Sequence, residues 1–183
     1  MFIQHGLDEV LRSVAVPKIL EIGFGTGLNA LLTLARMEEN QRFCHYVAVE
    51  QYPLEMHIAH SLDFIPALRH QFLEMHQPQS TINLTNRMQL HKVVADFRDP
   101  LPFMEGGFNL VYFDAFSPTK QPELWTATMF ERIAAVCAPN AILVTYSSKG
   151  EVRRNMQSAG WLIEKLPGPK GKREMVRGRK RNK

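Results

Sequence analysis

Cysteine is scarce in this chain: Cys44 and Cys137 are the only two among 183 residues. Neither belongs to a Cys-x-x-Cys pair or a Cys/His cluster, which argues against a disulfide framework and a zinc site. Cys44 falls in a strand-like run and Cys137 near the end of a helix-like one, so both are read as buried small hydrophobes. No apolar run approaches the ~20 residues that a membrane helix needs. The opening MFIQHGLDEVL lacks the basic start and apolar middle of a signal peptide. A cytoplasmic location with no membrane partner is therefore expected. Internal repeats and long linkers are lacking too.

What is there is ordinary for a globular protein, with 45% hydrophobic and 22% charged residues. The length suits one domain with a real core, expected over residues 1–178 with a basic tail at 179–183. The formal charge is +4, but it is uneven: residues 165–183 hold nine Lys/Arg against Glu174, a balance of +8 that leaves −4 for the rest. A basic end on a mildly acidic body points to a polyanion partner. The bland alternative is a solvated tail.

Strand-like and helix-like runs alternate. KILEI is a buried strand, followed by a glycine-rich turn and an amphipathic helix over about 28–37. CHYVAVE is a second strand; YPLEMHIAHSL and DFIPALRHQFLEM read as helices. INLTNRMQLHKVVADF holds one or two strands, and FNLVYFDA another. A helix over QPELWTATMFERIAAVCA, a strand over AILVTYSS and a short helix over EVRRNMQSAG follow. WLIEKL and REMVRGR then form a hairpin. The expected class is α/β and Rossmann-like, a mostly parallel sheet with a C-terminal antiparallel hairpin.

EIGFGTGLN places Gly23-x-Gly25-x-Gly27 directly between strand and helix. Such glycines allow a tight turn and a close ligand approach. The third comes one residue early for a pyrophosphate loop, and no Gly-Lys-Ser/Thr follows. Glu50 ends the second strand, 23 residues after Gly27, where an acid can bind both hydroxyls of a ribose. An acid before three alternate glycines, then a strand-end acid, resembles the pattern of S-adenosylmethionine-dependent methyltransferases. Glu21 is then the first acid, and VADF supplies Asp96 for the adenine amino group and Phe97 beside its ring. The turn's own Phe24 and Thr26, with Asn29 just beyond, join the candidate cofactor site.

FNLVYF runs straight into Asp114, followed by Ala115, Phe116, Ser117 and Pro118. An unpaired carboxylate inside a buried strand is costly, whereas at its end it can face a cleft. Asp114 suits an amine acceptor, whose cation it attracts and whose proton it helps remove. Phe116 can stack on a base or cover an ammonium. Trp125 and Phe130 are assigned to core packing, with bracing of the substrate loop as the alternative for Trp125. His57 and His60 are assigned to the surface.

ILEIGFGTGLN, DAFSPTKQPELW and GKREM together resemble the methyltransferase domain of the bacterial tRNA 5-methylaminomethyl-2-thiouridine enzymes, fused (MnmC) or free-standing (MnmD). The likeness runs over about 2–178. It implies methylation of the exocyclic amine of 5-aminomethyl-2-thiouridine at the tRNA wobble position. S-adenosylmethionine would be held by Glu21, Gly23, Gly25, Gly27, Glu50, Asp96 and Phe97. Asp114 would face the amine, Phe116 and Pro118 would help form the uridine pocket, and Lys172 and Arg173 would meet phosphates at its mouth. The anticodon loop is the implied partner. Fused members carry an FAD-dependent oxidase. No second dinucleotide motif occurs here, so FAD is not expected. Family members also usually begin with a further stretch that helps cover the site. Two rivals are an aminopropyltransferase of the spermidine-synthase type, whose site should be richer in acids, and a non-catalytic RNA-binding module on the same scaffold.

Overall fold

The computed structural model describes residues 1–100, 106–168 and 174–181. One eight-stranded sheet forms its centre, in the order β3–β4–β2–β1–β5–β6–β8–β7. The strands are β1 (Lys18–Ile22), β2 (Cys44–Glu50), β3 (Thr81–Leu84), β4 (Met88–Val94), β5 (Phe108–Phe113), β6 (Cys137–Thr145), β7 (Trp161–Pro167) and β8 (Glu174–Lys180). β4, β2, β1, β5 and β6 are parallel. β3 is antiparallel to β4, and β8 is antiparallel to both β6 and β7. The C-terminal hairpin expected from sequence is therefore present, and its second strand wedges between β6 and β7. The sheet edge at β3 is a second antiparallel addition.

The helices are α1 (Asp8–Val10), α2 (Leu28–Glu39), α3 (Met56–Ser61), α4 (Arg69–Met75), α5 (Ala127–Val136) and α6 (Gly150–Ser158). A π-helical turn, Ile3–Leu7, leads into α1 and buries Ile3 and Leu7. The neighbouring Phe2 ring meets Tyr112 edge-on at 5.5 Å. Short 3-10 turns at Pro66–Leu68 and Pro122–Trp125 precede α4 and α5. Proline fits such first turns because its missing N–H would be unpaired there anyway. Thr126 caps α5 by accepting the Met129 N–H.

β5 explains why the sheet needs two covers. Leu110 and Tyr112 pack with α2 and the N-terminal turn, whereas Val111 and Phe113 pack with α5 and Trp161. A strand buried on both faces reads as a continuous apolar run. Each large side chain so buried stabilises the fold by about 1.5–3 kcal/mol. Cys137 caps the end of α5, as read from sequence, and also opens β6. Both cysteines are buried, as expected.

Chain order spreads outward from β1, through β2 and β4 on one side and β5 and β6 on the other. That reversal leaves a crevice beyond the C-terminal ends of β1 and β5.

Candidate active site

The crevice is a cleft of about 460 Å³. The turn after β1 forms its floor. Gly23 has φ +87° there, and a Cβ on it would lie 2.7 Å from the Asp114 carbonyl oxygen. Only glycine lets these two strand ends close on one another. Gly25 has φ +52° with no atom within 4 Å of a Cβ position, so its backbone lies bare at the cleft. Phe24, Thr26 and Asn29 also line it, and His76 Nε2 holds the Thr26 carbonyl at 3.2 Å. Gly27 sits one step back, opening α2.

Glu50, at the end of β2, is held in place by backbone. Its two carboxylate oxygens accept the Gly25 and Tyr52 N–H groups, each at 2.9 Å. Each oxygen keeps lone-pair capacity for a further donor. Asp96 and Phe97 enter the cleft from beyond β4. Arg98 grips Asp96 through Nε at 2.9 Å and holds its carboxyl below the ordinary carboxylate range. The Arg132 guanidinium lies 5.3 Å from the Phe97 ring centre.

Asp114 stands where β5 ends, its N–H donating to the Ile22 carbonyl at 3.0 Å. The Asn29 amide donates to both Asp114 Oδ2 and Glu21 Oε1, each at 2.9 Å. Both its N–H groups are thus used, which fixes the orientation of the side chain. Glu21 itself is fully buried and lies beneath the cleft, bonded also by the Tyr46 hydroxyl at 2.8 Å. It reaches the cleft through Asn29.

Burial pushes the Glu21 carboxyl from its ordinary 4.5 up to about 8, against the pull of its bonds to Asn29 and Tyr46. The folded protein then keeps a proton that the unfolded chain releases near pH 4.5. Stability from this group is complete below that pH and declines as pH rises toward 8. Glu21→Gln is expected to flatten this decline and raise the unfolding temperature at pH 8, with little change at pH 5. Thermal unfolding across pH checks it; a slope like that of the wild type contradicts the burial account.

The segment after Asp114 is tied down carbonyl by carbonyl. Tyr146 donates to Ala115, Trp125 Nε1 to Phe116, each at 2.9 Å, and the Lys120 and Gln121 N–H groups to Ser117. Trp125 therefore does both jobs weighed for it, since it is also buried against Phe113 at 4.7 Å. Phe116 stays 61% exposed at the cleft rim, placed to meet something from outside. Pro118 is half-buried and outside the lining. Lys172 and Arg173 lie outside the described residues. His57 and His60 are exposed, His57 beside Glu55 at 3.1 Å.

A second cavity, about 400 Å³, adjoins the first and is walled by Met1, Phe2, Ile3 and Leu32. Both cavities are lined by Leu28, Asn29, Asp114 and Tyr146. Sequence reasoning missed Tyr146, although it directly follows the end of β6 and obeys the same strand-end rule as Glu50. Burial, with the Asp114 charge adding to it, pushes its hydroxyl up to about 12. Gln51 and Tyr52, just past Glu50, were missed likewise.

Comparison with known proteins fits this geometry. The sequence profile of a family described as S-adenosyl-L-methionine-dependent methyltransferase matches residues 44–181. A tRNA 5-methylaminomethyl-2-thiouridine biosynthesis bifunctional protein MnmC from Aromatoleum aromaticum is 36% identical over 90% of this chain and 28% of its own length. The protein of that name from Pseudomonas fluorescens is 34% identical over 86% of this chain and 26% of its own. This chain thus spans about a quarter of the curated relatives it matches. In structure it resembles MNMC2 from Aquifex aeolicus, with TM-score 0.74 and 23% identity over 94% of this chain and 55% of that one.

Proposed function

Because the chain belongs to the S-adenosyl-L-methionine-dependent methyltransferase family, we propose that it methylates the exocyclic amine of 5-aminomethyl-2-thiouridine at the wobble position of tRNA. The observation that carries this reading is the place of Asp114, a carboxylate at the junction of two cavities. The names of the relatives and the motifs around residues 114–125 and 171–175 supply the acceptor.

The residues fit the cofactor. Bare backbone at Gly25 admits a close approach, and the fixed Glu50 carboxylate suits a ribose diol. Gly23, Phe24, Thr26 and Asn29 would line the rest of its seat, with Phe97 and Asp96 beside the adenine and Glu21 supporting from below. When bound, S-adenosylmethionine supplies an activated methyl group on a sulfonium leaving group. The protein's remaining task is alignment and a neutral nucleophile.

An alkylamine rests as a cation. The Asp114 carboxylate attracts it, orients the nitrogen and takes up or passes on the proton that nitrogen loses. With the nitrogen so held, its lone pair would be aimed at the methyl carbon that the cofactor would supply, the sulfonium sulfur taking the pair of the carbon–sulfur bond as the carbon–nitrogen bond forms. Asn29 keeps the carboxylate from turning away. Phe116 offers its exposed ring to the pyrimidine. Pro118 stiffens the turn beneath it.

Glu50→Ala is expected to weaken cofactor binding about 10- to 100-fold, as charge-assisted hydrogen bonds worth roughly 1.5–3 kcal/mol disappear. Calorimetric titration with the cofactor checks it; unchanged affinity would move the ribose elsewhere. The reaction itself is tested by digesting tRNA after incubation with enzyme and cofactor. The reading expects 5-aminomethyl-2-thiouridine to gain one methyl; the nucleoside unchanged would overturn it.

A further inference from the structure

Among the described residues of the basic C-terminal run, four cations already have partners within the protein. Lys165 pairs with Glu174 at 3.0 Å, Arg177 with Glu164 at 2.6 Å and Arg179 with Glu9 at 3.1 Å, while Lys180 donates to the Cys137 carbonyl. A separate group of cations lies beside the cleft, on other elements. Lys120 lines the cleft and is exposed. Next to it, Lys149 Nζ donates to the Thr119 hydroxyl at 2.7 Å. Beyond Lys149, both guanidinium groups of α6 fold back over its first residue: a Cβ on Gly150 would lie 3.2 Å from Arg154 Nη1 and 3.8 Å from Arg153 Nη2.

None of these four cations has a carboxylate within 4.0 Å among the described residues. Arg153 Nε is buried without a hydrogen-bond acceptor there. Like charges gathered in this way repel one another. Lys149, Arg153 and Arg154 also sit at the positive end of the α6 dipole, with Glu151 the acid of that first turn. Such an arrangement is relieved when an outside polyanion supplies the missing acceptors.

We propose that Lys120, Lys149, Arg153 and Arg154 form a track for RNA phosphates, leading from α6 to the cleft mouth. This rests on the reading of tRNA as substrate. Phosphodiester oxygens would bridge the guanidinium groups and Lys149, and Lys120 would hold the strand where the target base enters. Phosphate contacts of this kind set register and orientation, leaving choice of base to the cleft.

The test is binding of unmodified bulk tRNA by the full chain over a range of salt concentrations. Lys149→Gln with Arg154→Gln changes two exposed side chains and spares the partly buried Arg153. The pair is expected to weaken binding about tenfold at low salt and to flatten the log–log salt dependence by about 1–2. Cofactor affinity, measured in parallel, should stay unchanged. Arg12→Gln, which removes an exposed cation paired with Glu9, should leave the salt slope alone. A salt slope in the double variant equal to that of the wild type overturns the track while leaving the RNA reading intact. Equal flattening in Arg12→Gln overturns it as well, by reducing the effect to net charge. A wild type that binds no tRNA overturns the RNA reading and the track together.

Discussion

Asp114→Ala is expected to cut methyl transfer at least about 100-fold, the lower end of what a positioned acid–base group contributes, while leaving cofactor affinity within about threefold. The asymmetry follows from where the residue is tied. Its backbone N–H bonds to the Ile22 carbonyl and is untouched by the change. Asn29, deprived of one acceptor, keeps the other in Glu21. The floor of the cleft at Gly23 and Gly25 stays in place. What goes, on the proposed reading, is the charge that would draw an ammonium and receive its proton. Asp114→Asn separates the two parts of the role, since its amide oxygen still accepts from Asn29 but carries no charge. Transfer rates beside calorimetric cofactor titrations decide the matter. Equal loss of transfer and cofactor binding would make Asp114 a cofactor ligand.

Gly23→Ala is expected to damage fold and binding together. Its Cβ would meet the Asp114 carbonyl oxygen at 2.7 Å and the Ala115 Cα at 3.1 Å, in a backbone conformation with φ +87°. Those neighbours are backbone, so they cannot swing aside. Strain of about 1–3 kcal/mol corresponds to an unfolding temperature lower by roughly 2–12 °C for a chain of this size. Cofactor binding should fall more than about 100-fold, because relief of the clash moves the floor of the cleft away from Asp114. Gly25→Ala provides the contrast. With nothing within 4 Å of its Cβ but φ +52°, it should lose only the cost of a left-handed Ala, roughly 1–2 kcal/mol, with no clash added, while cofactor binding falls. Thermal unfolding and titration of both variants check the pair; a Gly23→Ala protein as stable as Gly25→Ala would contradict the close approach.

The parts visible in sequence were those whose cause is local. β2 was read with the bounds it has, because CHYVAVE is an uninterrupted β-prone run closed by an acid. β5 lost only its last two residues, Asp114 and Ala115, to the loop. The glycine turn announced itself through spacing, and Glu50 through its place at a strand end. Errors came where tertiary contact overrides local pattern. IAAVCA has helical character, yet the helix stops at Val136 and Cys137 pairs with Phe108 across the sheet. The first ten residues received no secondary-structure assignment, although Ile3, Leu7 and Val10 bury themselves against the sheet at helical spacing. Tyr146 was overlooked as a site residue because the strand was read through AILVTYSS, which hid its place just past the end of β6. Glu21 was legible as part of the cofactor pattern, but its depth beneath the cleft and its hold on Asn29 arise only from packing. The charge of the C-terminal run was counted from sequence, but the count could not show that Arg177 and Arg179 pair with Glu164 and Glu9 across β7, β8 and α1.

The most direct test of the central claim is a labelled-methyl transfer assay with three acceptors offered separately: tRNA bearing 5-aminomethyl-2-thiouridine, the same tRNA unmodified, and free polyamines. The account predicts label in the aminomethyl tRNA alone, and its loss there in the Asp114→Ala protein. Label in the polyamines, or equal label in both tRNA pools, would contradict it.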